Sequence, residues 1–256
     1  MRNTIRAYRA EFLKFRRTKV FWGTMAAMLF ITLMCGFLMY VSLHPDIARQ
    51  AGIIGEKAKL FDKADWPAFL TLLGEMASMG GAIFFGFAAS WVFGREYSDK
   101  TIKDLLAQPV SRSSVVAAKF LIVALWSVVL ITVMAAGGLA AGFLAGLPGL
   151  SAGAVSHGIE VLLISALLQM PLAACVAFFA SAGKGYLLPL GFVILMLVLA
   201  NLSGMIGFAS YFPWAVPGLY SQNPASLGAA SYAAVAITAL LGMAGTFAWW
   251  RYADQK

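Results

Sequence analysis

Six long apolar runs, each sufficient to cross a bilayer, leave this chain few folds to choose from. A helix rises 1.5 Å per residue and the hydrocarbon of a bilayer is ~30 Å thick, so about 20 mostly apolar residues make one crossing. The runs extend from Phe21 to Leu43, Pro67 to Phe93, Val115 to Leu144, His157 to Ser181, Leu187 to Ile206 and Ser231 to Trp250. Hydrophobic residues make up 61% of the chain and charged residues 12%, where a soluble domain has about 45–50% and about 25%. Half the usual charge cannot cover a water-soluble globule of this length, and lipid is the natural solvent for the excess. The expectation is an all-α integral membrane protein with six transmembrane helices, forming one transmembrane domain over residues 1–256. The first run follows a basic stretch, as in a signal peptide. It is too long for a signal h-region and no small-residue cleavage pattern follows, so it reads as a retained span.

The flanking charges set the orientation. The N-terminal segment, the link between spans two and three with Lys119 at its edge, the short link at Gly183–Tyr186 and the C-terminus carry fifteen of the nineteen Lys and Arg residues. The other four all fall in the loop after span one, balanced by Asp46, Glu56, Asp62 and Asp65. The positive-inside rule makes the first set cytoplasmic, with both termini inside an inner (cytoplasmic) membrane. The formal charge of +8 is thereby accounted for by topology, and no polar domain is left to hold nucleic acid.

Two segments outside the spans have a character of their own. In residues 1–20, Ile5, Tyr8, Phe12 and Phe15 recur at helical spacing, with arginines around most of the remaining circumference. That pattern predicts an amphipathic helix in the inner headgroup layer; a disordered basic tail held by charge is the competing reading. Residues 207–230 contain Tyr211, Phe212, Pro213, Trp214, Pro217 and Tyr220, with no charge. Aromatic residues and prolines at that density suggest re-entrant or interfacial elements on the outer face.

Catalytic signals are weak. Gly183-Lys184-Gly185 lacks the upstream glycine and following Ser or Thr of a phosphate-binding loop, so the chain is not expected to hydrolyse nucleotide itself. Gly149-Leu150-Ser151-Ala152-Gly153 spells GxSxG but sits in a short small-residue loop, not between a strand and a helix. Cys35 and Cys175 fall in apolar runs and, with two scattered His residues, give neither a disulfide nor a metal-binding pattern. Glu75 in span two and Glu160 near the outer end of span four are the acidic residues within spans. Such groups are costly in lipid, which makes both candidates for lining a translocation route, with local structural roles as the alternative. Gly138, Gly142 and Gly146 in span three, and Gly80, Gly81 and Gly86 in span two, permit close helix approach within one chain or between two. Pro171 is expected to kink span four.

The most polar stretch lies in residues 94–114, between spans two and three. Ile102, Leu105 and Leu106 keep helical spacing there and Pro109 closes the run, predicting a short cytoplasmic helix that presents charge to a partner. A solvated connector is the simpler alternative, although the topology needs only a few residues.

This stretch resembles the signature of type-2 ABC exporter permeases. The matching positions are Glu96 and Tyr97 after span two, then Thr101, Lys103, Leu105-Leu106, Pro109 and Ser111-Arg112. Ala10-Glu11-Phe12-Leu13-Lys14-Phe15-Arg16-Arg17 looks like that family's N-terminal interfacial helix, and Pro213-Trp214 with Pro217 is loosely similar to its outer region before span six. Among subfamilies the chain looks most like bacitracin- and lantibiotic-resistance permeases. The resemblance implies a permease with no catalytic residues of its own, paired with a second, identical or paralogous permease. Separate ABC ATPase subunits would carry ATP and Mg. Their contact would be a coupling helix drawing on Arg95, Glu96, Tyr97, Thr101, Lys103, Asp104, Leu105, Leu106, Pro109, Ser111 and Arg112. The implied cargo is amphipathic: a peptide antibiotic, a drug or a lipid-like molecule. An intramembrane enzyme or assembly factor using Glu75 and Glu160, and an ATP-independent carrier or channel, are the alternatives.

Overall fold

A computed structural model describes residues 2–44, 64–102 and 110–253, with side chains described from Tyr8 onward. Among the described residues it is helical throughout, with short 3₁₀ turns. The helices are α1 (Arg2–Arg17), α2 (Lys19–Leu43), α3 (Trp66–Ser98), α4 (Arg112–Leu144), α5 (Ala152–Gln169), α6 (Ala173–Ala182), α7 (Leu187–Met205), α8 (Val216–Gln222) and α9 (Ala229–Tyr252). Six stretches are long and apolar enough to cross a membrane: α2, α3, α4, α5 with α6, α7 and α9. These are the six expected spans. The largest differences lie at the start of span four, where α5 begins at Ala152 rather than His157, and at the end of span two, where α3 runs on past Phe93 to Ser98. Gly94 to Ser98 therefore belong to the span-two helix and not to a separate short one.

The helix ends follow local chemistry. Asp65 caps α3 by accepting a hydrogen bond from the Ala68 N–H at 2.9 Å, and Ser111 caps α4 by accepting from Ser114 N at 3.2 Å. At its far end α3 closes in a Schellman turn: Lys100 takes φ +57°, Lys100 N–H donates to Tyr97 O and Thr101 N–H to Glu96 O. The Gly183-Lys184-Gly185 fragment is the same device after α6. Lys184 is left-handed at φ +51°, and Gly185 N–H donates to Ala180 O. A lysine tolerates this strained region less readily than glycine, but a basic residue just past a helix C-terminus lies near the negative end of the helix dipole, which favours it. Pro171 lies in a 3₁₀ turn, Met170–Leu172, that separates α5 from α6 and breaks span four where the proline removes a donor.

Small residues set the packing between spans within the chain. A Cβ on Gly138 would sit 2.5 Å from Leu73 Cδ1, and one on Gly142 would sit 2.6 Å from Trp66 Cη2, so α4 lies directly against α3. Gly146 instead turns the chain after α4, at φ +64°. The core fills with Trp66, Phe69, Leu73, Phe85, Phe93, Ile122 and Trp126 from α3 and α4. The outward faces are apolar too: Phe30 on α2, Ile194 and Met205 on α7, and Leu240 and Leu241 on α9 are each more than 60% exposed. Continuous apolar surface of this kind suits lipid and not water.

Candidate functional site

The most concentrated chemistry in the bundle lies where α1, the end of α3 and the start of α4 meet. Glu11, Arg95, Glu96 and Lys119 are all buried there, and the half-exposed Lys14 closes the group from one side. The Glu96 carboxylate accepts from Lys119 Nζ at 2.7 Å, Lys14 Nζ at 3.1 Å and Arg95 Nε at 3.2 Å. The Glu11 carboxylate accepts from Arg95 at 2.6 Å, Lys14 at 3.2 Å and Lys119 at 3.4 Å. Two carboxylates thus share three cations in one closed network. The fully buried Lys119 completes its coordination by donating to the Val92 carbonyl at 2.7 Å, with its ammonium 5.9 Å from the Phe93 ring centroid and 6.0 Å from that of Trp250.

The sequence folds this way because each element brings one part. Phe15 docks α1 on α4 by packing its ring 5.3 Å from Trp126, and Glu11, one turn earlier on the same face, is thereby buried at the cluster. The face read in the sequence as turned to headgroups is thus in part turned to α4. Arg95 and Glu96 occupy the last turn of α3, and Lys119 lies two turns into α4. Trp250 ties α9 to the same end: its indole N–H donates to Ser181 Oγ at 2.9 Å, and its carbonyl accepts from Arg112 at 3.2 Å. The link after α6 also docks there. Tyr186 stacks on Trp91 at 5.5 Å and touches the position of Gly94. Burial pushes the Tyr186 phenol above its usual value, with a Ser98 hydrogen bond opposing, so it stays neutral beside the cluster.

Of the residues singled out for ATPase coupling, Arg95 and Glu96 are buried in this network, with their charges satisfied inside the chain. Tyr97 is half-buried, its ring 6.2 Å from that of Trp250. Thr101, Ser111 and Arg112 are exposed, the last two opening α4. Lys103, Asp104, Leu105, Leu106 and Pro109 lie outside the described residues. Glu75 is half-buried and lines a cavity beside α7 and α8; Glu160 is exposed. Ser151 of the GxSxG string caps α5 by accepting from Ala154 N at 3.1 Å, a structural use of its hydroxyl. Among the described residues no group of three or more His, Cys, Asp or Glu is placed to hold a metal.

Sequence reasoning assigned no role at this site to Glu11, Lys14 or Lys119. Two signals were available: Glu11 is the only acidic residue before Asp46, and Lys119 interrupts an apolar span a short way inside its end. A lone charge at such a position needs a partner.

Residues 7–201 match the ABC-2 family transporter proteins. The chain belongs to that family. It is a multi-pass transmembrane permease of the ABC type. It is also similar to the bacitracin transport permease protein of Bacillus licheniformis, with 26% identity over 177 residues, covering 68% of this chain and 85% of that protein. The match begins inside α1 and contains all five charges of the cluster.

Proposed function

We propose that this ABC-2 permease forms half of the membrane route of an ATP-driven exporter, with a second identical or paralogous permease as the other half. Two separate ATPase subunits, carrying ATP and Mg, engage residues 94–114 on the cytoplasmic side. Both termini face the cytoplasm of an inner-membrane protein, an orientation supported by the basic residues flanking the spans. α1 lies along the headgroup layer on that side, and α8 re-enters the bundle from the outer side.

The observation that carries this reading is the buried charge cluster. Residues 99–111 connect α3 to α4, and the cluster locks the two helix ends that flank this connection to each other and to α1. A push on the connection therefore moves α1, α3 and α4 as one unit. That rigidity is what conversion of ATPase closure into a change of access requires. In this arrangement Arg95 and Glu96 are the inner anchor of the coupling segment, while Thr101, Lys103, Asp104, Leu105, Leu106, Pro109, Ser111 and Arg112 supply its contact with the ATPase.

The cargo is an amphipathic molecule, a peptide antibiotic being the first choice because the Bacillus relative is a bacitracin transport permease. Deleting the chain from its host is expected to raise sensitivity to such a peptide and to slow its efflux. Unchanged susceptibility together with unchanged efflux would overturn the reading.

A further inference from the structure

At the end of the bundle opposite the charge cluster, a cavity of about 230 Å³ opens between α3, α7 and α8. Its wall includes Glu75, Asn201, Trp214, Gly218 and Gln222. α8 is held there by close backbone approach: a Cβ on Gly74 would lie 3.1 Å from Ser221 Cβ, and one on Gly218 would lie 3.3 Å from Ser78 Oγ. The Glu75 carboxylate on α3, the Asn201 amide on α7, the Trp214 indole in the turn before α8 and the Gln222 amide at the end of α8 thus meet from four places in the chain. Among the described residues Glu75 makes no ion pair. This contrasts with the cluster at the other end, where every carboxylate is matched.

The cavity is smaller than the ~300–1,000 Å³ of a drug-sized pocket, so it accommodates part of a molecule. Leu197 and Asn201 also line a second, larger space of about 640 Å³, an almost wholly apolar groove that runs between α3 and α7 past Ile83, Val193 and Ile194 toward Leu190. A chamber holding one carboxylate, Glu75, therefore adjoins an apolar groove, with Leu197 and Asn201 as their common wall.

We propose that the two spaces form one binding site for a cationic amphiphile. A protonated amine sits against Glu75, with Asn201 and Gln222 as hydrogen-bonding neighbours and the Trp214 ring as an apolar and cation-attracting wall. The apolar tail lies along the α3–α7 groove. Charge complementarity selects the head: a carboxylate in a low-dielectric setting favours a cation and rejects an anion. The apolar lining of the adjoining groove selects the tail. The site takes its purpose from the export reading above and specifies the cargo as positively charged.

The test uses the full chain in phosphatidylcholine nanodiscs, without nucleotide or ATPase. The probes are a dansyl-labelled long-chain alkylamine and its N-acetylated, uncharged twin, followed by fluorescence anisotropy against protein-free discs. Saturable binding is expected for the amine, at least about tenfold tighter than for the acetylated twin. Glu75→Gln is expected to erase that preference while leaving the twin's affinity unchanged, and Glu75→Asp to retain most of it. Ile194→Trp, at an exposed position in the groove, should weaken both probes. Equal binding of the two probes to the wild-type chain, or an undiminished amine preference in Glu75→Gln, would overturn the proposal. Because no partner takes part, such a failure leaves the export reading to be judged by its own assays.

Discussion

Replacing Glu96 by Gln keeps the shape of the side chain and removes its charge from the buried cluster. The four deeply placed groups, Glu11, Glu96, Arg95 and Lys119, are neutral as a set, and Lys14 adds one further charge from the exposed side. Without the Glu96 charge, Lys119 keeps one carboxylate, Glu11 at 3.4 Å, while that carboxylate still serves Arg95 and Lys14. One uncompensated positive charge is then left buried. Breaking a buried ion pair by removing one partner costs about 3–5 kcal/mol, and Glu96→Gln should fall in that range. Lys14→Ala should cost less than about 1 kcal/mol, because Lys14 is 43% exposed and is the only cation of the three that reaches water easily. Lys119→Met removes the opposite charge, so the double variant Glu96→Gln/Lys119→Met restores neutrality around Glu11 and Arg95. Its loss should be clearly less than the sum of the two single losses. Unfolding free energies in mixed detergent–SDS micelles measure all four variants. Additive losses for Glu96→Gln and Lys119→Met, or a Glu96→Gln loss below about 1 kcal/mol, would refute the claim that these charges act as one closed network.

Two further outcomes follow from the packing. A Cβ on Gly242 would lie 2.6 Å from the backbone N of Cys175 and 2.8 Å from the carbonyl carbon of Ala174, so Gly242→Ala must push α9 and α6 apart. A loss of about 1–3 kcal/mol in the same unfolding assay is expected, whereas Gly23→Ala, with nothing within 4 Å of its new methyl, should be neutral or slightly stabilising. Ser151→Ala should cost about 0.5–2 kcal/mol by removing the α5 cap while leaving peptide efflux at the wild-type rate. Lost efflux in a stably folded Ser151→Ala chain would point to chemistry at that serine.

The parts of the molecule that were legible in the sequence are those written in consecutive residues. Run lengths located the six spans, Pro171 marked the break in span four, and Gly138 and Gly142 marked a close helix contact. Which helices met at those glycines was open, because the stripe alone does not name its partner; Leu73 and Trp66 on the preceding span do. The charge cluster was not legible, because it joins residues as far apart as Glu11 and Lys119 through the turn of α1 onto α4. The same holds for Glu75, whose cavity is assembled from Asn201 and Gln222 more than a hundred residues later. Glu96 shows the limit of reading a polar segment as a surface. Its neighbours in sequence are polar, yet it lies in the last turn of a packed helix and its charge is consumed inside the chain.

The central claim, that this permease is driven by a separate ATPase through residues 94–114, is tested most directly by purifying the chain from its native membrane in a mild detergent and assaying ATP hydrolysis in the eluate. The variant pair is wild type beside Lys103→Glu/Asp104→Lys, which leaves all five cluster residues in place. The account predicts that an ABC ATPase subunit and its hydrolysis co-purify with the wild-type chain and are lost or strongly reduced with the variant. Wild-type chain that elutes as an intact membrane complex with no ATPase subunit, or equal hydrolysis from both proteins, would contradict it.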